Sequence, residues 1–85
     1  MKDILTRTKD ELKKNIHWSK KAVVINTFHK TALIFDSKWT LTNTAKELGF
    51  SKAYISECVM LANRITPEMT RISRRSALRL VKGDL

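Results

Sequence analysis

Apolar residues recur at steps of three and four from Ala22 to Phe35, which is the spacing of one face of an α-helix. The predicted core positions are Ala22, Ile25, Phe28, Ala32 and Phe35, with Val24 and Leu33 beside them. The β-branched run at 23–25 also admits a strand, but the ten residues after it keep the helical period. Ser19 is placed to cap this helix, and residues 36–38 interrupt the pattern.

A narrower stripe lies nearer the N-terminus. Ile4, Leu5, Leu12 and Ile16 predict a weakly amphipathic helix over residues 3–16. Two alternatives stay open for residues 1–19. The segment either folds back to complete the bundle, or it offers its apolar stripe to a protein partner such as a second copy of the chain.

The middle of the chain predicts two short helices. Thr40 is a good N-cap for a helix over residues 41–48, and Gly49 supplies the left-handed residue that ends it. Ser51 caps the next helix, from Lys52 to about Asn63. The apolar positions of this second helix are Ile55, Cys58, Val59 and Ala62.

The C-terminal part predicts further helix. Thr66 and Pro67 suit a helix start, Ser73 can cap a last helix through Lys82, and Gly83 ends it. Whether residues 67–82 form one helix or two stays open. Taken together, the patterns predict an all-α protein, a small bundle of five or six helices in one domain over residues 1–85.

Composition supports this class and excludes others. Hydrophobic residues are 42% of the 85-residue chain and charged residues 29%, which favours a folded domain over a disordered one. The chain has only two glycines and one proline, so few β-hairpin turns are expected and helices are favoured. The sequence has no 18-residue apolar run, no secretory leader and a single cysteine, Cys58, so we expect a cytoplasmic protein with no membrane partner.

The net charge of +9 narrows the choice of partner. Such a surface attracts nucleic acid first, then an anionic membrane or an acidic protein. The basic residues of the C-terminal quarter are mostly arginines, namely Arg64, Arg71, Arg74, Arg75 and Arg79, with Lys82. A merely well-solvated surface is the alternative.

Residues 40–61 contain a pattern that predicts how this basic chain could bind DNA. Two helices joined at Gly49 by a tight turn are typical of a helix-turn-helix, whose second helix enters the DNA major groove. Ala45 is small where the helices cross. We expect Leu48, Phe50, Ile55 and Cys58 to bury the seam, and Ser51, Lys52, Ala53, Tyr54, Ser56 and Glu57 to project outward. An ordinary helical hairpin is the alternative.

Residues 20–82 resemble the DNA-binding domain of ParB-type partition proteins and their KorB-like relatives. The likeness includes Trp39-Thr40 before the motif, and after it Leu61, Ile65, Pro67 and Glu68. Ile72-Ser73, followed by Ala77, Leu80 and Val81, is similar to the family's next helix. The chain departs from the family in a shorter 67–73 segment, in Ser76 where His is usual, and in lacking the nucleotide-binding and dimerisation domains.

The candidate DNA contacts follow from side-chain chemistry. Lys52 can donate to guanine or phosphate, Ala53 permits close approach, and Tyr54 offers a hydroxyl or its ring. Glu57 accepts from cytosine or pairs with Lys52 or Lys46. Helix N-termini suit phosphates. The predicted contacts are Thr40, Thr42, Ser51, Lys52, Ala53, Tyr54, Ser56, Glu57, Arg74 and Arg75.

These observations predict a DNA-binding protein without enzymatic activity, cofactor or metal, located at the nucleoid. His17, His29 and Cys58 have no metal-ligand spacing, and a satisfied or surface role suits His29 better. The expected role is a small transcriptional, partition or replication regulator of a phage or plasmid, with a homodimer as one option. The alternatives are a DNA packaging or recombination accessory protein and a basic adaptor that binds an acidic protein.

Overall fold

The computed structural model describes residues 2–83, and the predicted all-α class is confirmed for them. The helices are α1 (Lys2–Lys13), α2 (Trp18–Phe35), α3 (Leu41–Leu48), α4 (Lys52–Arg64) and α5 (Arg74–Lys82), with a 3₁₀ turn over Pro67–Arg71. The 67–82 segment is therefore two separate elements. The predicted domain extends to Met1, Asp84 and Leu85, which lie outside the described residues.

Local side-chain chemistry sets most of these boundaries. Thr40, Ser51 and Ser73 each accept a hydrogen bond from the backbone N–H three residues on, as predicted for N-caps. Gly49 and Gly83 end α3 and α5 with φ of +79° and +71°. A residue with a Cβ is strained at such angles, so glycine suits both positions.

α2 corrects two predictions. Its cap is His17 rather than Ser19, because the His17 Nδ1 accepts the Ser19 N–H at 3.2 Å. Phe35 is 62% exposed and not a core residue. The last three residues of the helix, 33–35, are exposed, whereas Ala32 before them is fully buried. The other predicted core positions of α2 are buried, namely Ala22, Ile25, Phe28 and Ala32.

α4 lies at the centre of the bundle and packs against α2, α3 and α5. Its buried side chains are Ile55, Cys58 and Leu61, all at most 1% exposed. Val59 and Ala62 are half-buried against the same cluster. Because three helices pack against α4, the rest of the fold fixes its position.

α1 folds back onto α2 and α3. Leu12 packs against the core and Thr8 is buried, whereas Ile4 and Leu5 are half-buried. The predicted helix was too long, because α1 ends at Lys13 and Ile16 lies in the connection to α2. This contact places α1 within the bundle.

The C-terminal segment is attached to the bundle by side chains. The Trp18 indole donates to the Ile72 carbonyl at 3.0 Å, and Arg64 donates to the Val81 carbonyl at 3.3 Å. Met69, Ala77 and Val81 complete the core from this side. The Arg64 bond joins α4 to α5, and the Trp18 bond joins α2 to the connection before α5. Within the described residues, no helix is long and apolar enough to cross a membrane.

Candidate nucleic-acid interface

The corner between α3 and α4 is closed by a single carbonyl. The N–H groups of Gly49 and Phe50 both donate to the Ala45 oxygen, at 2.9 and 3.0 Å. Ala45 is 5% exposed, consistent with a close approach of the two helices. A Cβ at Gly49 would meet no atom within 4 Å, so the backbone angle, rather than crowding, favours glycine.

A buried polar cluster fixes α3 to α2. The Trp39 indole donates to the Thr44 Oγ1 at 2.7 Å, and the His29 Nδ1 lies 2.7 Å from the same oxygen. Because an indole N–H only donates, the Thr44 oxygen accepts from Trp39, and the same hydroxyl is within hydrogen-bond distance of the His29 ring. Burial lowers the pKa of His29, which favours the neutral ring. The expected satisfied role of His29 is confirmed.

The solvent face of α4 is small and polar. Ser51, Lys52, Ala53 and Ser56 are exposed, while Ile55 and Cys58 face the interior. The Ser51 Oγ accepts the Tyr54 N–H at 3.1 Å. The first turns of α4 therefore present a ridge with one positive charge and no bulky side chain, as the sequence predicted.

Tyr54 is not the freely projecting side chain that the sequence predicted. It is half-buried, its ring lies 4.9 Å from that of Phe50, and the Arg74 guanidinium lies 4.7 Å from its centroid. Burial, with smaller contributions from Cys58, raises the pKa of Tyr54 to about 12. The phenol is thus neutral and able to donate. Phe50 itself is 38% exposed, so its predicted place in the buried seam was wrong.

Glu57 is half-buried and joined to α5. Its carboxylate pairs with Arg74 at 2.9 Å and with Lys82 at 3.5 Å. The salt-bridge alternative is thus observed, but with other partners than Lys52 or Lys46. The Arg74 hydrogen bond lowers the pKa of Glu57. Because Arg74 opens α5, these contacts place the N-terminal turn of α5 beside α4.

The remaining predicted contacts differ in their availability. The Thr40 hydroxyl donates to the Asn43 Oδ1 and accepts the Asn43 N–H, so its hydrogen and its oxygen are both engaged within the chain. Thr42 and Arg75 are exposed. Arg75 makes no ion pair within residues 2–83, whereas Arg74 is held by Glu57.

The structure thus brings together Ser51, Lys52, Ala53 and Ser56 on one ridge, with the first turn of α5 at its flank. Thr40 and Thr42 lie at the start of α3, on the other side of the corner. Sequence reasoning missed the contacts of Arg74 with Tyr54 and Glu57. Arg74 is 17 residues from Glu57, and no local pattern encodes a pairing at that distance.

No family model matches this chain, and no match was found among curated proteins or among solved structures. Within residues 2–83, no group of three or more His, Cys, Asp or Glu side chains is arranged to hold a metal ion.

Proposed function

We propose that the chain binds double-stranded DNA as a helix-turn-helix protein, with α4 in the major groove. The observation that carries the proposal is the exposed ridge of Ser51, Lys52, Ala53 and Ser56 on a helix that three others hold in place. Small side chains let a helix approach base edges closely, and Lys52 and the serines can donate to bases or phosphates.

Charge supports the same surface. Residues 52–82 contain seven Lys and Arg residues against two acidic ones. Glu57 is the one acid of α4, and two cations from α5 offset its charge. The phosphate backbone would therefore meet little repulsion here. Arg75, exposed at the start of α5, is the proposed phosphate contact at this flank.

Two of the candidate contacts take a supporting role in this proposal. Arg74 orients Tyr54 from above its ring and neutralises Glu57. Regulation of transcription, partition or replication of a phage or plasmid remains the proposed biological use, because the likeness of residues 20–82 to partition proteins supports it.

A fluorescence-anisotropy titration with duplex sites selected from a random pool tests the proposal. We expect Lys52→Ala with Ser56→Ala to weaken binding to the selected site by about 1–3 kcal/mol and to relax its sequence preference. Both positions are exposed, so the fold should persist. Lys9→Ala, which removes the same charge from α1, is the matched control.

Salt dependence separates the alternatives. If Arg75 contacts a phosphate, Arg75→Ala should weaken binding to all sequences alike and reduce the slope of log affinity against log salt by roughly 0.9. An absence of binding at low salt would reject DNA as the partner and favour the acidic-protein adaptor. Equal losses from the α4 pair and from Lys9→Ala would move recognition away from α4.

A further inference from the structure

One carboxylate of α4 holds two cations of α5. The Glu57 Oε1 lies 2.9 Å from the Arg74 Nη2, and the Glu57 Oε2 lies 3.5 Å from the Lys82 Nζ. Arg74 is the first residue of α5 and Lys82 is its last. The two side chains therefore converge on one carboxylate from the two ends of the helix, and the three groups together keep one positive charge.

The ligand that these cations hold resembles a piece of the DNA backbone. A carboxylate and a phosphodiester group each carry one negative charge shared by two oxygens on a single atom, and arginine binds either of them with the same planar fork. We infer that Arg74 and Lys82 form a phosphate-binding site, which Glu57 fills and so withholds from the DNA backbone. The inference rests on the proposed function, because that function supplies the ligand.

The site is open to solvent and lies beside the proposed recognition surface. The exposed fractions of the side chains are 29% for Arg74, 45% for Lys82 and 30% for Glu57, so an anion can reach the cations without unfolding. Glu57 follows Ser56, and its side chain lies about 100° round α4 from the ridge, on the side of α5. A helix in the major groove has a phosphate strand along each side.

Arg74 does not depend on Glu57 alone for its position. Its guanidinium lies 4.7 Å from the centroid of the Tyr54 ring, and a cation over an aromatic face is attracted to it. The first turn of α5 also favours an anion near Arg74 through the helix dipole. A neutral side chain at position 57 therefore leaves a site that is already assembled.

Glu57→Gln tests the inference, because it removes the charge and keeps the size of the side chain. With duplex DNA of random sequence, the slope of log affinity against log salt should become steeper by up to about 1.8, since each added phosphate contact contributes roughly 0.9. Glu47→Gln is the matched control. Glu47 is exposed on α3 and forms no ion pair within residues 2–83, so its variant gains the same charge and should keep the wild-type slope.

A triple variant shows which cations cause the change. Adding Arg74→Ala and Lys82→Ala to Glu57→Gln should return the slope to the wild-type value. Thermal melts check that each variant is folded. A slope that stays steep in the triple variant, or that Glu47→Gln steepens equally, would assign the gain to the general charge and overturn the inference.

Inorganic phosphate tests the site without DNA. In an NMR titration, phosphate should shift the Arg74 Nε–H resonance of Glu57→Gln at concentrations several-fold lower than in the wild type or in Glu47→Gln. Equal responses would overturn the inference. A wild-type chain that fails to bind DNA rejects the proposed function while this titration still tests the site. A wild-type chain that binds DNA, with neither the slope nor the phosphate response changed by Glu57→Gln, rejects the inference alone.

Discussion

Among the polar contacts between helices in residues 2–83, two clusters differ mainly in their access to water. Trp39, Thr44 and His29 join α2 to α3 in the interior, where Thr44 is fully buried. Glu57, Arg74 and Lys82 join α4 to α5 near the surface, where about 30% of the Glu57 and Arg74 side chains is exposed.

The difference decides what each cluster contributes. A buried polar atom that loses its partner bears the full cost of desolvation, whereas a surface ion pair exchanges its partner for water. The interior cluster therefore holds the α3–α4 corner in place. The surface cluster leaves its cations able to exchange Glu57 for another anion. Three measurements test whether the two clusters contribute differently to stability.

Substitution of Thr44 should lower the free energy of unfolding more than the other changes considered. Thr44→Val keeps the side-chain volume but leaves the Trp39 indole and the His29 Nδ1 without their shared partner. We expect a loss of about 2 kcal/mol in the free energy of unfolding, measured by denaturant titration. Thr42→Val, at an exposed position of the same helix, should change it by less than about 0.5 kcal/mol. Equal effects would mean that the interior cluster is not what stabilises the corner.

Acidification should lower the free energy of unfolding through His29, by less than the Thr44 substitution does. Its pKa in the fold lies below the usual 6.5, because burial disfavours the charged ring. The unfolded chain therefore takes up the proton first. This contribution to stability is complete above pH 6.5 and is lost progressively as the pH falls from there toward the lower pKa of the fold.

His29→Asn is the variant that checks this assignment, because its amide can still form a hydrogen bond with the Thr44 hydroxyl but does not titrate. The pH dependence of the free energy of unfolding just below pH 6.5 should become flatter in the variant. An unchanged slope would assign the titration to another group.

Substitution of Glu57 should change the free energy of unfolding least. Its pKa lies below the usual 4.5, so its contribution is complete above pH 4.5 and is lost as the pH falls through the lowered value. Because the pairs are partly exposed, Glu57→Gln should cost less than about 1 kcal/mol at neutral pH. Denaturant titrations at two salt concentrations measure this, and the wild-type advantage should shrink in high salt. A cost as large as that at Thr44 would remove the contrast between the two clusters.

The boundaries of the corner were predictable because they depend on short-range chemistry. A hydroxyl three residues before an N–H caps a helix wherever the helix lies, so Thr40, Ser51 and Ser73 act as predicted. Gly49 ends α3 because few other residues tolerate its backbone angle. The helical period likewise indicated which face of α2 and of α4 is buried.

Two residues that were predicted to be buried are exposed, and both lie at the end of a helix or just after it. Phe35 continues the apolar period of α2, but it is the last residue of the helix and is 62% exposed. Phe50 directly follows the corner, but it packs beside Tyr54 at the surface instead of in the seam. Periodicity reports the direction of a side chain and carries no information on how far the adjoining helix extends.

The order of the helices, most of their caps, the turn at Gly49 and the positive charge could be predicted from the chain, because each depends on residues within a few positions or on composition. Which charges are engaged depends on how the helices pack. Arg74 lies over Tyr54 and pairs with Glu57 because α5 docks on α4, and Thr44 meets His29 because α3 docks on α2. Pairings across such distances arise only from the packing of whole helices.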